Sequence, residues 1–158
     1  MDFGSGTGLL LSQIATHVGE ITAVDISASM NGVLQSKMNA IDCKLQILEL
    51  DLTKETLNTK FDSIISSMTI HHIENLQEIF KKFYSLLNDN GTIAIADLDK
   101  EDGSFHTEDT GVFHYGFDRN EFLSIAENTG FRHLKIQTAS IMDKPTGNYP
   151  VFLLTGEK

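Results

Sequence analysis

The run Asp2-Phe3-Gly4-Ser5-Gly6-Thr7-Gly8 constrains this chain more than any other feature. Three glycines at alternate positions, ahead of an apolar helical stripe, describe a tight strand-to-helix turn. Glycine reaches positive φ and lets a ligand approach the backbone closely. The helix behind the turn offers unpaired amides and the positive end of its dipole. By itself the pattern is weak, because many tight turns need glycine. No lysine follows Gly8, which excludes a P-loop. A dinucleotide fingerprint fits poorly as well. Counted from Gly4 and Gly6, its third glycine falls on Leu9.

Apolar periodicity then gives alternating elements. Residues 1–3 read as a strand stub. Leu10, Leu11, Ile14, Ala15 and Val18 share one helix face, which ends near Gly19. Ile21 to Asp25 reads as a strand, and Ser27 caps a helix over residues 28–38. Leu45 to Leu50 and Phe61 to Ser66 read as further strands. Leu76, Ile79, Phe80, Phe83, Leu86 and Leu87 form the stripe of a helix that Asn88-Asp89-Asn90-Gly91 stops. Thr92 to Ala96 is a nearly all-apolar strand, as a strand covered on both faces should be. A polar loop, 98–113, precedes the last helix. Asp118 caps that helix, Glu121 completes a capping box, and Phe117 with Phe122 supplies a hydrophobic staple. The helix ends at Gly130, and strands near 132–139 and 150–156 form an antiparallel hairpin. The expectation is one α/β domain over residues 1–158. Its sheet is mostly parallel, with helices on both faces. Ligands on such sheets bind beyond the carboxyl ends of the strands, near the switch in strand order.

Composition narrows the partners. There are 22 acidic residues against 12 basic, a net charge of -10, so nucleic acid and anionic membrane surfaces are disfavoured. Lys81-Lys82 is the only adjacent basic pair. The single cysteine, Cys43, excludes an internal disulfide and a cysteine-cluster metal site. The opening residues lack a basic segment followed by an apolar one, so no signal peptide is expected, and no apolar run approaches the roughly 20 residues that span a bilayer. A soluble cytoplasmic protein is expected.

Asp25 adds to the glycine turn. It ends the second strand about 20 residues after the glycines, where a carboxylate can accept both hydroxyls of a ribose. The plainer alternative is that it turns the chain into the Ser27 cap. Asp2 to Gly8, Val24-Asp25-Ile26-Ser27, Leu50-Asp51-Leu52 and Met68-Thr69-Ile70-His71-His72-Ile73, in this order and spacing, together resemble a class I S-adenosylmethionine-dependent methyltransferase. The likeness covers nearly the whole chain. It implies a Rossmann-like three-layer α/β/α sandwich whose seven-stranded, mostly parallel sheet has an antiparallel last strand. It also implies S-adenosylmethionine as cofactor and S-adenosylhomocysteine as product. Gly4, Ser5, Gly6 and Gly8 would line the methionine portion, with Asp2 near its amino group. Asp25 would bind the ribose hydroxyls. Asp51 and the Leu52 amide would meet adenine, with Ile26 and Met30 packing against it unless they are ordinary core. Ser67 and Met68 would border the reactive methyl group.

Methyl transfer needs alignment and exclusion of water, and needs a base only where the nucleophile holds its proton. His71 and His72 are the candidates for that base, since imidazole titrates near neutrality. Asp97, at the end of the fifth strand, and His71, His114 and Tyr115 are candidate acceptor contacts. Phe113 and Tyr149 are possible pocket walls. Asp99, Glu101, Asp102, Glu108 and Asp109 either favour a cationic acceptor or form a solvated loop. His106 and His114 match no metal signature with Asp97 or Glu101, and no metal is expected. Ser66-Ser67-Met68-Thr69 replaces the Asn/Asp-Pro-Pro-Tyr/Phe motif of amide and base methylation, and no Pro-Cys dipeptide is present. These features favour a small-molecule acceptor over RNA or protein. A monomer or homodimer is expected. Only Met1 precedes Asp2, so the resemblance implies a truncated first strand. It also leaves open a cofactor-binding or scaffolding remnant without turnover.

Overall fold

The computed structural model describes residues 1–106 and 110–158. Glu108 and Asp109, two of the loop carboxylates, lie outside the described residues. Seven strands form one sheet in the order β3-β2-β1-β4-β5-β7-β6. They are β1 (Asp2–Phe3), β2 (Glu20–Asp25), β3 (Lys44–Glu49), β4 (Phe61–Ser67), β5 (Leu87–Leu98), β6 (Arg132–Lys144) and β7 (Gly147–Glu157). β1 to β5 run parallel, whereas β7 is antiparallel to both β5 and β6. The strand order switches between β1 and β4. The ends of these two strands therefore flank the crevice where ligands of such sheets bind.

Helices α1 (Leu9–Ile14) and α2 (Ala28–Lys37) cover one face, and α3 (Leu76–Leu86) and α4 (Arg119–Thr129) cover the other. On the first side Leu11 and Leu34 meet Ile21, Ala23 and Leu45. On the second, Ile79, Phe80, Phe83 and Phe122 meet Phe3, Ile64, Ile95 and Phe152. The alternation along β2 produces this division: Ile21 and Ala23 face one layer, Val24 the other. Phe80, Phe83, Phe122 and Phe152 are each fully buried, a contribution of roughly 2–3 kcal/mol apiece. Phe80 meets Phe122 edge-on at 5.3 Å.

The local signals behave largely as read. Ser27 accepts from Met30 N–H, and Asp118 accepts from the amides of Asn120 and Glu121. Phe117 and Phe122 pack with tilted rings, centroids 4.8 Å apart, which is the staple. Gly130 closes α4 with φ 111°. Four expectations need correction. The capping box is one-sided: among the described residues no bond joins the Glu121 side chain to the Asp118 amide. The first helix shortens to six residues, its last turn tightening into a 3₁₀ turn over Ala15–His17. The helix stops before Asn88–Gly91 as read, but the strand expected from Thr92 already begins at Leu87, opposite Phe61. Asn90 adopts φ 61°, and the pairing shifts register between Phe61 and Ser63. The terminal hairpin is also longer than its apolar pattern, with β6 and β7 paired out to Lys144 and Gly147.

β1 has only two residues, while its neighbours have six and seven. A cavity of about 890 Å³ opens there, lined by Met1, Ile21, Thr22, Phe61 and Ser63. It lies at the amino ends of the strands, opposite the crevice. No helix among the described residues is long and apolar enough to cross a membrane.

Candidate active site

The site is built where β1 and β4 part. Gly4, Gly6 and Gly8 all adopt positive φ, at 71°, 53° and 82°. A Cβ on Gly4 would stand 2.2 Å from the Thr69 side chain, and one on Gly8 would stand 2.5 Å from Leu34. A Cβ on Gly6 would meet nothing within 4 Å. Gly4 and Gly8 are thus glycine for packing, whereas Gly6 borders open space. Two buried polar atoms at this turn have no partner among the described residues, Asp2 Oδ2 and Ser5 Oγ. Burial pushes the Asp2 carboxyl up to about 7; the Met1 ammonium opposes this and Asp25 adds to it. A buried acceptor left open costs free energy until a donor fills it. The amino group of a methionine-like ligand is such a donor, so these residues fit S-adenosylmethionine.

Asp25 answers both readings of it. Its Oδ2 accepts from Gly6 N–H at 2.8 Å and its Oδ1 from Ser27 N–H at 2.8 Å. The carboxylate therefore braces the glycine turn and starts α2 while each oxygen keeps a free lone pair. Ile26 and Met30 beside it are 71% and 44% exposed, which rules out the ordinary-core reading of both. Asp51 Oδ1 accepts from Thr53 N–H and Oγ1–H, and Oδ2 pairs with Lys54 at 2.8 Å. The Lys54 and Thr53 bonds hold its carboxyl down at about 2. Leu52 is fully buried beneath it.

The β4 end closes the other side. Ser66 Oγ donates to Phe3 O and Thr69 Oγ1 to Gly4 O, tying the β4 loop to the glycine turn. In the sequence Thr69 carries no signal beyond its place within the Met68–Ile73 motif. Between them Met68 adopts φ 55°, a conformation that costs an L residue about 1 kcal/mol. Met68 N–H donates to Ala96 O, which joins this strained residue to the end of β5.

His71 and Asp97 come together in the core. Nδ1 of His71 lies 2.7 Å from Asp97 Oδ1, and the two residues are 2% and 0% exposed. Asp97 also accepts from the backbone N–H of His71 and of Leu98. His72 is less buried and reaches Gly111 O through Nδ1 at 3.5 Å. Its pKa is lowered, first by desolvation and then by His71. The other acceptor candidates divide. His114 spends Nε2 on Ile73 O at 2.9 Å and packs on Phe117, so its side chain holds the loop rather than joining His106. Tyr115 and Phe113 are 56% and 58% exposed. Tyr149 belongs to β7, not to a loop, and bonds Ser104 and Thr146 through its hydroxyl. Glu101 binds the amides of Gly103 and Phe105, and Asp102 the amide of Ser104, so both shape their own loop. Asp99 pairs bidentately with Arg119 at 2.6 and 2.7 Å. Among the described residues no three His, Cys, Asp or Glu side chains are placed to share a metal ion.

Comparison with known proteins agrees with this geometry. A family described as a methyltransferase domain matches residues 1–93. An uncharacterized methyltransferase of Schizosaccharomyces pombe is 29% identical over 165 residues, covering 94% of this chain and 56% of that protein. Phosphoethanolamine N-methyltransferase 1 of Zea mays is 29% identical over 146 residues, covering 85% of this chain and 28% of that protein. Phosphoethanolamine N-methyltransferase 2 of Haemonchus contortus, solved with phosphomonomethylethanolamine and S-adenosylhomocysteine, superposes with a TM-score of 0.81. It is 18% identical, and the match covers 99% of this chain and 48% of that one. The chain spans about half the length of the first curated relatives it matches. The fold is the one that S-adenosylmethionine-dependent methyltransferases of known structure adopt, and the chain belongs to the methyltransferase domain family.

Proposed function

We propose that the chain transfers a methyl group from S-adenosylmethionine to a small-molecule acceptor and leaves S-adenosylhomocysteine. The observation that carries this reading is the buried, unpartnered oxygen of Asp2 at the base of the glycine turn. In this reading Asp2 takes the cofactor's amino group, while Gly4, Ser5, Gly6 and Gly8 line its methionine portion. Asp25 takes the ribose hydroxyls on the lone pairs that Gly6 and Ser27 leave free. Ile26 and Met30 cover adenine, Asp51 and the Leu52 amide meet its edge, and Ser67 and Met68 border the methyl group. When bound, S-adenosylmethionine supplies a methyl group activated by its sulfonium.

The protein orients the acceptor and manages its proton. Asp97 occupies Nδ1 of His71, so Nε2 is the nitrogen that takes a proton from the acceptor nucleophile. His72 lies beside it, the rings 4.4 Å apart, and is the second candidate for that role. Asp97 holds this base through Nδ1 and the His71 amide, the backbone N–H of His114 donates to His71 O, and Tyr115 is kept as a proposed acceptor contact. The net charge of -10 supports a small acceptor over nucleic acid. So do the maize and Haemonchus enzymes, whose names state phosphoethanolamine. A soluble cytoplasmic protein, monomeric or homodimeric, fits the single free Cys43.

The test is release of S-adenosylhomocysteine from S-adenosylmethionine across a panel of amines, alcohols, thiols and carboxylates. Turnover with at least one small acceptor is expected. Turnover only with bulk RNA or protein would overturn the acceptor class. Cofactor binding without any turnover would instead mark a binding remnant.

A further inference from the structure

The loop after β5 carries a third histidine to the site, and methyl transfer as described gives it no task. Its described residues from Asp99 to Phe105 are pinned at several points. Asp99 N–H donates to Pro150 O, and Ser104 Oγ lies 2.7 Å from the Tyr149 hydroxyl. Phe105 is buried edge-on against Tyr149 at 5.1 Å. Lys144 Nζ donates to Phe105 O at 2.7 Å and sits 3.5 Å over the Phe105 ring. His106 follows directly. Its ring lies 5.4 Å from His71 and 6.3 Å from His72. His106 Nε2 is buried and has no hydrogen-bond partner among the described residues.

The charges around these rings are unbalanced. His106 faces His71, His72, Lys144 and Glu101; His72 faces His71 and Asp97. Desolvation and then the neighbouring imidazoles lower the pKa of both. His71 has Asp97 within ion-pair distance, as exposed His133 has Glu157. Among the described residues His72 and His106 have no such carboxylate. Three imidazoles and a lysine therefore gather in a strongly acidic chain; among the described residues Glu101 is the carboxylate that faces His106 and Asp97 the one that faces His72, and neither pairs with that ring at ion-pair distance. A group with several acceptor oxygens would take N–H bonds from both rings and supply that charge.

We propose that His72 and His106 form a recognition site for an oxyanion, a phosphate monoester or a carboxylate, carried by the methyl acceptor beside His71. The assignment to the acceptor rests on the methyltransferase reading; the anion site itself does not. An oxyanion favours the protonated rings, so binding draws in protons. Affinity is therefore full below the pKa of the free rings and is lost as pH rises through that of the bound rings.

The test is a titration of the ¹⁵N-labelled chain with inorganic phosphate and, separately, acetate, followed through the histidine ring resonances at pH 6 and pH 8. It is run with and without S-adenosylhomocysteine. The expected result is movement of the His72 and His106 signals, with affinity about tenfold higher at pH 6. His106→Gln and His72→Gln should each weaken it about fivefold or more. A response to phosphate alone assigns a phosphate monoester, and a response to acetate alone assigns a carboxylate. The proposal is overturned if neither anion moves these signals, if affinity is the same at both pH values, or if both variants bind as the parent does. S-adenosylhomocysteine binding in the same samples reports separately on the methyltransferase reading. If it is absent while the anion still binds, that reading fails and the anion site stands.

Discussion

His71 Nδ1 and Asp97 Oδ1 lie 2.7 Å apart in the core, joining the loop after β4 to the end of β5 across 26 residues. The same carboxylate accepts the His71 and Leu98 amides, so neither the imidazole nor the strand end moves independently of it. The pair occupies Nδ1 of His71 and leaves Nε2 as the nitrogen for the proposed proton transfer.

Asp97→Asn keeps the shape of the site and removes the anionic acceptor. Turnover should fall about 10²–10⁴-fold with little change in cofactor affinity. Asp97→Ala also leaves buried donors unpaired and should cost about 3 kcal/mol of stability. Steady-state kinetics and chemical denaturation separate the two effects. Undiminished turnover in Asp97→Asn would remove His71 from the chemistry.

The glycine turn gives a contrast between neighbours. Gly4→Ala drives a Cβ into Thr69 at a positive φ and should lower stability by about 2–4 kcal/mol. Gly6→Ala meets no protein atom, so its cost is the backbone term of about 1 kcal/mol. Because Gly6 faces the proposed ligand space, its cofactor affinity should fall further than its stability. Thermal melts with and without S-adenosylhomocysteine read both quantities. Equal losses at the two positions would contradict the assignment of that space to a ligand.

Asp2 imposes a pH dependence on stability. Its folded pKa of about 7 lies above the ordinary value of 3.8, so between these the folded chain holds a proton that the unfolded chain has lost. Stability through this group is therefore present at low pH and declines as pH rises from about 4 to 7, by on the order of 4 kcal/mol at most. Asp2→Asn should flatten that decline and be the more stable protein at pH 8. It should also bind S-adenosylhomocysteine less tightly, since the carboxylate that meets the amino group is gone. In the parent, cofactor affinity should weaken as pH falls below about 7, with proton release on binding. Calorimetry in buffers of different ionisation enthalpy measures that proton.

Arg119 and Asp99 tie the start of α4 to the end of β5 with two short bonds, and Arg119 also reaches Thr138. Lysine keeps the charge but not the fork. Arg119→Lys should lower stability by about 1 kcal/mol, read by urea denaturation.

Local signals were legible in the sequence because their causes are local. Asp118, Phe117 and Phe122 start α4, Gly130 ends it, and the Leu76–Leu86 stripe buries against the sheet as its period requires. Strand limits were not legible. Leu87 pairs with Phe61, and Lys144 with Gly147, through backbone bonds that side-chain patterning does not encode. The site was half legible. Asp2, the glycines and Asp25 lie in one recognisable order, and Asp25 serves the turn and remains open to a ligand at once. The His71–Asp97 pair and the approach of His106 depend on which strand ends meet, so spacing alone could not join them. His114 looked equally chemical and is instead a structural bond to Ile73.

The central claim is that the glycine turn and Asp25 hold S-adenosylmethionine. Calorimetric titration of S-adenosylhomocysteine into the chain, Asp25→Asn and Asp25→Ala tests it most directly. The account predicts micromolar binding to the parent, weakened about tenfold or more in both variants, roughly 1.4 kcal/mol for the lost charged hydrogen bonds. No binding to the folded parent, or equal binding by all three proteins, would contradict it.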